Sequence, residues 1–456
     1  MRVLLHVMGC RLNAAEGARI RGALEAAGWT VAEDGATSAQ PRGTGCSFVT
    51  SGAAGGSGVP TAATDNGGAA APAGGMPPAD AFVLHSCAVT GAAQAEALRR
   101  VRAAKRAGIP EIVVAGCVAN VAPEAELRGA GATGVVSRRA SAATGLAAIV
   151  GAALRGAVAP ELLSFATTRA PVKIQDGCSF RCSYCIVPDA RGEPRSRPFG
   201  EILSECSALV ARGYREIVLS GVNVACWREG GRTLSSLVRA VAALPGLARV
   251  RMGSVEPRTT EEEVVALMGE PEARLCPMLH YPLQSGSDRI LRAMRRRYTA
   301  AQYRGAVERA LARVPRLGLG ADVIAGFPGE TDADFEETVR LVRDYPFSNL
   351  HVFPYSERPG TPAAAMPGAV PVRVRRERAR ALIAIGEEKR AAFAASLAGA
   401  EADVLVERVG PDGTASGWTG QYLRARIPDR TPADAGALLR VRVLRAEGDL
   451  LLVRPI

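Results

Sequence analysis

Cys178, Cys182 and Cys185 stand in the run Lys173-Ile-Gln-Asp-Gly-Cys-Ser-Phe-Arg-Cys-Ser-Tyr-Cys185, a C-x3-C-x2-C loop directly after a strand-like segment. Soft thiolates at this spacing suit an iron–sulfur cluster or zinc. One loop offering three sulfurs and no nearby histidine makes a four-ligand structural zinc site awkward. The loop can instead hold three irons of a 4Fe–4S cube and leave the fourth open to a substrate or cofactor. The bland alternative is three reduced cysteines that are neighbours by chance.

A second set is spread along the chain. Cys10 ends Arg2-Val-Leu-Leu-His-Val-Met-Gly-Cys10, Cys87 ends Asp80-Ala-Phe-Val-Leu-His-Ser-Cys87, and Cys117 ends Glu111-Ile-Val-Val-Ala-Gly-Cys117. Each follows a short apolar run of strand type, and helical patterns follow the first two. Parallel strands of an open α/β sheet deliver their carboxyl ends to one edge, where ligands bind. Three cysteines far apart in sequence then meet in space, again as three sulfurs with one iron left open. Any one alone reads as a buried core thiol; the repeated placement favours a second cluster.

At 456 residues the chain has room for two or three domains. Ten cysteines without the even framework of a small secreted domain argue for a reducing cytoplasm. Val7-Met8-Gly9-Cys10 resembles a lipoprotein cleavage box, but the apolar stretch before it is too short for a signal segment. No apolar run approaches the roughly 18 residues of a membrane span, so no membrane partner is expected. The net charge of +11 is carried almost wholly by arginine and points only weakly to a polyanion.

Residues 1–158 read as an open, flavodoxin-like α/β domain. It is interrupted at 36–78 by a tract of Gly, Ala, Ser, Thr and Pro, read as a flexible insertion with too few apolar side chains to pack. Cys46 lies in that tract and is not taken as a ligand. Residues 165–395 alternate strand and helix, with strands expected at 172–175, 217–220, 250–254, 278–284, 320–325 and 351–354. Six such units predict a partial (β/α)6 barrel, closed by a linker helix from 372 to about 397. Catalytic groups of such barrels sit at the carboxyl ends of strands, where Cys178, Asn223, Glu256, Gln284 and Asp322 fall. Residues 396–456 predict a small antiparallel β-barrel. There Trp418, Tyr422, Arg424 and Arg426 offer the mixture of rings and charge that stacks bases and holds phosphates; with equal weight, the two rings are barrel core. Arg292, Arg295, Arg296 and Arg297 read as a basic helix end facing solvent or RNA. Cys206, Cys226 and Cys276 lack partners at ligand spacing and read as core or incidental thiols.

With both cysteine sets placed, the chain resembles the methylthiotransferases, radical S-adenosylmethionine enzymes with two iron–sulfur clusters. Gly9-Cys-Arg-Leu-Asn13, Cys87-Ala-Val-Thr90 and Gly116-Cys117 look like the blocks of that family's first domain. Lys173-Ile-Gln-Asp-Gly-Cys178, Arg191-Gly192 and Arg195-Ser-Arg-Pro198 frame the radical loop as in the family. Leu219-Ser-Gly-Val-Asn223, Ser254-Val-Glu-Pro257, Leu283-Gln-Ser-Gly-Ser-Asp288 and Asp322-Val-Ile-Ala-Gly-Phe-Pro-Gly-Glu330 resemble its barrel motifs. The last segment, with Gly417-Trp-Thr-Gly-Gln-Tyr-Leu423, is similar to a TRAM domain, an RNA-binding barrel. The first cysteine block and His351-Val-Phe-Pro-Tyr-Ser356 resemble the MtaB branch, which acts on N6-threonylcarbamoyladenosine beside the tRNA anticodon. The nearest alternatives are the branch using isopentenyladenosine in tRNA and the branch modifying a ribosomal-protein aspartate. His85-Ser86 departs from the family's usual Asn-Thr before the second cysteine.

The resemblance implies roles. Cys178, Cys182 and Cys185 hold the catalytic 4Fe–4S cluster, whose open iron chelates S-adenosylmethionine; its reductive cleavage yields a radical that takes hydrogen from C2 of the adenine. Cys10, Cys87 and Cys117 hold the auxiliary 4Fe–4S cluster that supplies sulfur, and a second S-adenosylmethionine supplies the methyl group. Tyr184 is expected near the cofactor adenine, and Asn223, Glu256, Gln284 and Ser285 at its ribose and amino-acid ends. Arg195 and Arg197 are candidates to neutralise its carboxylate or a tRNA phosphate. The implied partners are the tRNA anticodon stem-loop, an electron donor such as flavodoxin or ferredoxin, and a sulfur source, in the cytoplasm. Both clusters must approach one substrate atom, so the edge of the first domain is expected over the barrel mouth. A different class, a non-catalytic iron–sulfur RNA-binding protein, is the competing expectation.

Overall fold

The computed structural model describes residues 1–33, 76–138, 145–155, 158–165, 167–430 and 434–456. Most of the 36–78 insertion, with Cys46, lies outside them. Five apolar runs, β1 (Arg2–Val7), β2 (Thr30–Glu33), β3 (Ala81–Ser86), β4 (Glu111–Gly116) and β5 (Gly134–Val136), pair in parallel in the order β2-β1-β3-β4-β5. This is the flavodoxin-like order, whose ligand crevice lies where the winding reverses, between β1 and β3. β3 is buried along its whole length, as a central parallel strand covered on both faces should be. Helices α1 (Arg11–Ala26), α2 (Gly91–Arg106) and α3 (Cys117–Val121) follow β1, β3 and β4. α1 begins at Arg11, directly behind Cys10.

The central domain is built from β6 (Arg169–Lys173), the short antiparallel pair β7 (Gln175–Asp176) and β8 (Arg195–Ser196), then β9 (Glu216–Ser220), β10 (Arg249–Met252), β11 (Met278–His280), β12 (Gly318–Ala325) and β13 (Phe347–Pro354). β6, β9 and β10 form one parallel sheet and β11, β12 and β13 another. A bridge between Val250 and Leu275 links the two. Among the described residues no pairing joins β6 to β13, so the wall is open there and the barrel is partial, as expected. α1 lies against β6, which sets the first domain beside that opening. β11 ends earlier than the expected strand because Gln284 turns to a left-handed φ of 65° and bridges to Val323 instead.

The helix Val372–Ser396 leads to a closed barrel of β14 (Glu401–Val409), β15 (Ala415–Thr419), β16 (Arg424–Ile427), β17 (Leu438–Glu447) and β18 (Leu450–Pro455). It is not wholly antiparallel: β16 and β18 pair in parallel and close it. Gly417 interrupts the apolar alternation of β15. A Cβ there would stand 2.2 Å from the Leu405 carbonyl oxygen, so the strand needs the gap.

The turn after β15 enters the floor of the central barrel. Arg249 donates to the Trp418 carbonyl at 2.9 Å, and Arg251 to the Thr419 and Gly420 carbonyls at 3.0 and 2.8 Å. The Trp418 and Tyr422 rings stack at 4.6 Å, and Tyr422 is buried among Arg11, Arg169 and Arg251. Tyr422 is therefore neither an RNA-stacking face nor core of its own barrel; it belongs to the seam between two domains.

Candidate active site

The first triplet assembles as strand order demands. Cys10, Cys87 and Cys117 each lie just beyond the carboxyl end of β1, β3 or β4, three adjacent strands. Close approach of their loops depends on two glycines. At Gly9, φ is +127° and a Cβ would stand 2.9 Å from that of Cys87; at Gly116, φ is +86° and it would stand 2.6 Å from the Ser86 carbonyl oxygen. The second triplet lies in the loop beyond β7. It is followed by the short helix Val187–Arg191, whose Gly192 carbonyl accepts from the Cys178 N–H at 2.9 Å.

The nine described cysteines are free thiols. Neither triplet brings its three sulfurs within 4.8 Å of one another, whereas one tetrahedral zinc at 2.3 Å needs S···S edges of about 3.8 Å. Three thiolates with no histidine completing the set are by their chemistry a donor set for a 4Fe–4S cluster. Burial pushes the Cys117 thiol up to about 12 against the pull of Arg191, and desolvation likewise carries Cys185 to about 12. Binding a cluster at either site therefore releases protons, because the ligand is the thiolate.

A buried polar network runs from Cys10 toward the loop of the second triplet. Cys10 Sγ lies 3.4 Å from Asn13 Oδ1, which accepts from Arg191 Nη2 at 2.9 Å. Arg191 Nη1 reaches Asp176, two residues before Cys178, at 3.2 Å. Glu16 stands among Arg191, Lys173 and His85 at 2.8 to 3.1 Å. Burial opposes ionisation of Glu16, but Arg191, Lys173 and His85 outweigh it and hold the carboxyl well below the usual range. The edge of the first domain thus lies over the barrel mouth.

The other expected cofactor contacts sort by whether their polar atoms are already engaged. Asn223 Oδ1 is buried without a partner, while its backbone N–H donates to Gln175 at 2.9 Å; an orphaned acceptor at a strand end fits a ligand. Gln284 is buried at the bend after β11, and Tyr184 packs against the small apolar cluster that includes Phe327 and Tyr355. Ser285 accepts from the Ser287 N–H at 3.2 Å, a local cap. Arg195 lies exposed on β8, and Arg197 is engaged with the Lys173 carbonyl and Glu205 at 2.7 and 2.9 Å. Glu256 has both oxygens taken by Arg296, at 2.6 and 2.7 Å.

Arg296 corrects the reading of its arginine run. Its side chain is 5 % exposed, and its Nη1 lies 3.3 Å from Cys182 Sγ. It serves the radical loop, not solvent or RNA. Cys226, read as incidental, lies near enough to Cys178 to act on its charge, while Cys206 and Cys276 are core thiols as expected. A third polar group was not foreseen: His280 Nε2 and His351 Nδ1 stand 3.0 and 3.1 Å from Asp322 Oδ1.

With this geometry in place, the likenesses to known proteins are specific. The Radical SAM superfamily model matches residues 172–342, and a model described as uncharacterized protein family UPF0004 matches 69–136. A tRNA-2-methylthio-N(6)-dimethylallyladenosine synthase of Novosphingobium aromaticivorans is 40 % identical over 73 % of this chain and 79 % of its own length. The chain belongs to the methylthiotransferase family of radical S-adenosylmethionine proteins. A synthase of the same name from Cereibacter sphaeroides is 42 % identical over 62 % of this chain, and the match spans 65 % of that relative's length. Among solved structures, the radical S-adenosylmethionine methyltransferase TsrM from Kitasatospora setae shares the fold, with a TM-score of 0.52 at 14 % identity over 80 % of this chain and 75 % of that one. These methylthiotransferase relatives carry the dimethylallyl name. The motifs alone place the chain nearest the MtaB branch, and the relatives' names do not support that placement.

Proposed function

We propose that this methylthiotransferase replaces the C2 hydrogen of an N6-substituted adenosine in tRNA with a methylthio group, with N6-dimethylallyladenosine, the nucleoside in the relatives' names, as substrate. The observation that supports the reading is the bridge Cys10–Asn13–Arg191–Asp176, which links the loop of Cys10 to the strand that leads into the Cys178 loop. Cys178, Cys182 and Cys185 would hold one 4Fe–4S cluster and Cys10, Cys87 and Cys117 the other. Between them these groups supply one-electron cleavage of S-adenosylmethionine and the sulfur to be transferred. The chain's own residues position and enclose. Asn223 offers its unpartnered carbonyl oxygen to the cofactor, Arg296 and Glu256 brace the radical loop, and the Trp418–Tyr422 turn shuts the barrel floor against water.

A cleft of about 1010 Å³ runs from Thr90, near Cys87, past His351 to Trp418, and exposed Arg376, Arg380 and Arg424 line it. Guanidinium groups along a cleft suit a phosphate backbone. A second reading, N6-threonylcarbamoyladenosine, is favoured by one feature. Arg11, beside Cys10, reaches over Tyr422 at 5.1 Å and acts on His351, giving a substituent carboxylate a cation to meet.

The test is anaerobic reconstitution followed by reaction with S-adenosylmethionine, a reductant and anticodon stem-loops carrying either nucleoside. A methylthiolated dimethylallyl product supports the main reading, and a threonylcarbamoyl product the second. Two clusters that cleave no S-adenosylmethionine while the RNA binds would make the chain a non-catalytic RNA-binding protein.

A further inference from the structure

The inner face of β12 is graded from floor to mouth. Alternation places Gly318, Gly320, Asp322 and Ile324 on one face, while Leu319, Ala321, Val323 and Ala325 enter the hydrophobic core behind. At the floor, a Cβ on Gly318 would stand 2.7 Å from the Gln421 carbonyl oxygen. One layer up, a Cβ on Gly320 would stand 2.5 Å from His280 Nδ1, so the glycine makes room for that imidazole. At the mouth, Ile324 and Tyr184 of the radical loop pack against the same small apolar cluster. Asp322 lies between, two residues or about 7 Å along the strand from Ile324.

Asp322 is gripped from both sides and left open in front. His351 Nδ1 lies 3.1 Å from Oδ1, and its Nε2 lies 3.0 Å from Asn349 Nδ2. Asn349 Oδ1 in turn accepts from Arg390 at 3.3 Å, so the chain of bonds places the imidazole proton on the Asp322 side. His280 Nε2 lies 3.0 Å from the same Oδ1 yet is buried without an aligned hydrogen bond. The Asp322 side chain keeps 24 % of its exposure, and burial of the carboxyl is outweighed by the two imidazoles, which hold it ionised. A metal is disfavoured here. Both nitrogens of His351 are committed, and Arg11 acts on the same imidazole. A carboxylate held from both sides and open in front suits an N–H donor from a ligand.

Resting on the reading of the preceding section, we propose that Asp322 seats the reacting adenine by accepting its exocyclic N6–H. C6 and C2 flank N1 on the same ring, so a base held this way has its C2–H on the neighbouring edge, free to face the mouth where both cysteine triplets converge. His280 and His351 are positioning residues that fix the carboxylate.

The test uses the full, cluster-loaded chain and two stem-loop RNAs: one with N6-dimethylallyladenosine, the other with the isosteric O6-dimethylallylinosine, in which an ether oxygen replaces the N–H. For the wild type, methylthiolation kcat/KM should fall at least tenfold with the ether RNA, the cost of a lost hydrogen bond to a charged group. Asp322→Asn should lose at least tenfold on the natural nucleoside and no longer discriminate the ether. Its iron content should be unchanged. A wild type that treats both RNAs alike overturns the proposal without recourse to a variant. So does an Asp322→Asn chain that discriminates as the wild type does, or one that binds its clusters but no longer cleaves S-adenosylmethionine, which would place Asp322 at the cofactor. A wild type that methylthiolates neither this RNA nor one carrying threonylcarbamoyladenosine overturns the functional reading, and this proposal with it.

Discussion

Arg191 meets both carboxylate oxygens of Glu16, at 3.0 and 3.1 Å, across the seam between the first domain and the central barrel. The same guanidinium reaches Asn13 on the Cys10 side and Asp176 on the Cys178 side. Planar, permanently charged and forked, arginine can serve four acceptors on two domains where lysine could not. The pair therefore does more than hold a seam: it links the residue beside Cys10 to the strand that leads into the Cys178 loop.

Removing one partner leaves the other charge buried. Arg191→Met should destabilise the chain by about 3–5 kcal/mol, visible as a lower Tm, and should loosen Cys10 through Asn13. Glu16→Gln should do the same more mildly. Thermal unfolding, with iron content after reconstitution, checks both; unchanged iron in Arg191→Met would show that the network does not support the first triplet.

The pH dependence has a definite sign. The folded Glu16 carboxyl sits well below its unfolded value of about 4.3, so its contribution is complete above that value and lost as pH falls through the folded one. His351 is also depressed, burial outweighing Asp322, so its contribution is complete above about pH 6.5 and declines as pH falls. Tm of the cluster-free chain should decline in both windows, and Glu16→Gln should flatten only the acid one.

Arg296 donates to Cys182 Sγ while Glu256 holds it in place. Hydrogen bonds to ligand sulfurs stabilise the more negative, reduced state of a cluster. Arg296→Gln should therefore shift the radical cluster's midpoint potential to more negative values, and Arg296→Lys should recover part of the shift. Redox titration followed by EPR reads this directly, and a midpoint equal to wild type would refute it.

The two triplets should separate functionally. Replacing Cys178, Cys182 and Cys185 by alanine should abolish 5′-deoxyadenosine formation, whereas replacing Cys10, Cys87 and Cys117 should spare it and abolish methylthio transfer. Each variant should hold about four irons in place of about eight. Iron analysis with product chromatography distinguishes the two losses.

The shared edge of Cys10, Cys87 and Cys117 was legible because each ends an apolar run, and parallel strands carry such ends to one edge whatever their distance in sequence. The order β2-β1-β3-β4-β5 then makes neighbours of the strands before Cys10, Cys87 and Cys117. What stayed hidden was pairing between domains. Arg296 sits among Arg292, Arg295 and Arg297, and only the fold shows that one of these four turns inward to Glu256. Trp418 and Tyr422 carry the composition of an RNA platform, yet Arg169, Arg249 and Arg251 on the barrel strands claim that turn as a floor. β15 is hard to read from sequence because Gly417 looks like a break and is a close approach. Asp322 was placed at a strand end, but its two histidine partners come from other strands, and no spacing in sequence records them.

The most direct measurement is mass spectrometry of tRNA nucleosides from a host lacking its own methylthiotransferases, expressing either this chain or its Cys10→Ala variant. The account predicts a 2-methylthio form of an N6-substituted adenosine with the wild-type chain and the unmethylthiolated parent alone with the variant. Absence of any methylthio nucleoside from wild-type cells, with the purified chain holding both clusters, would contradict it.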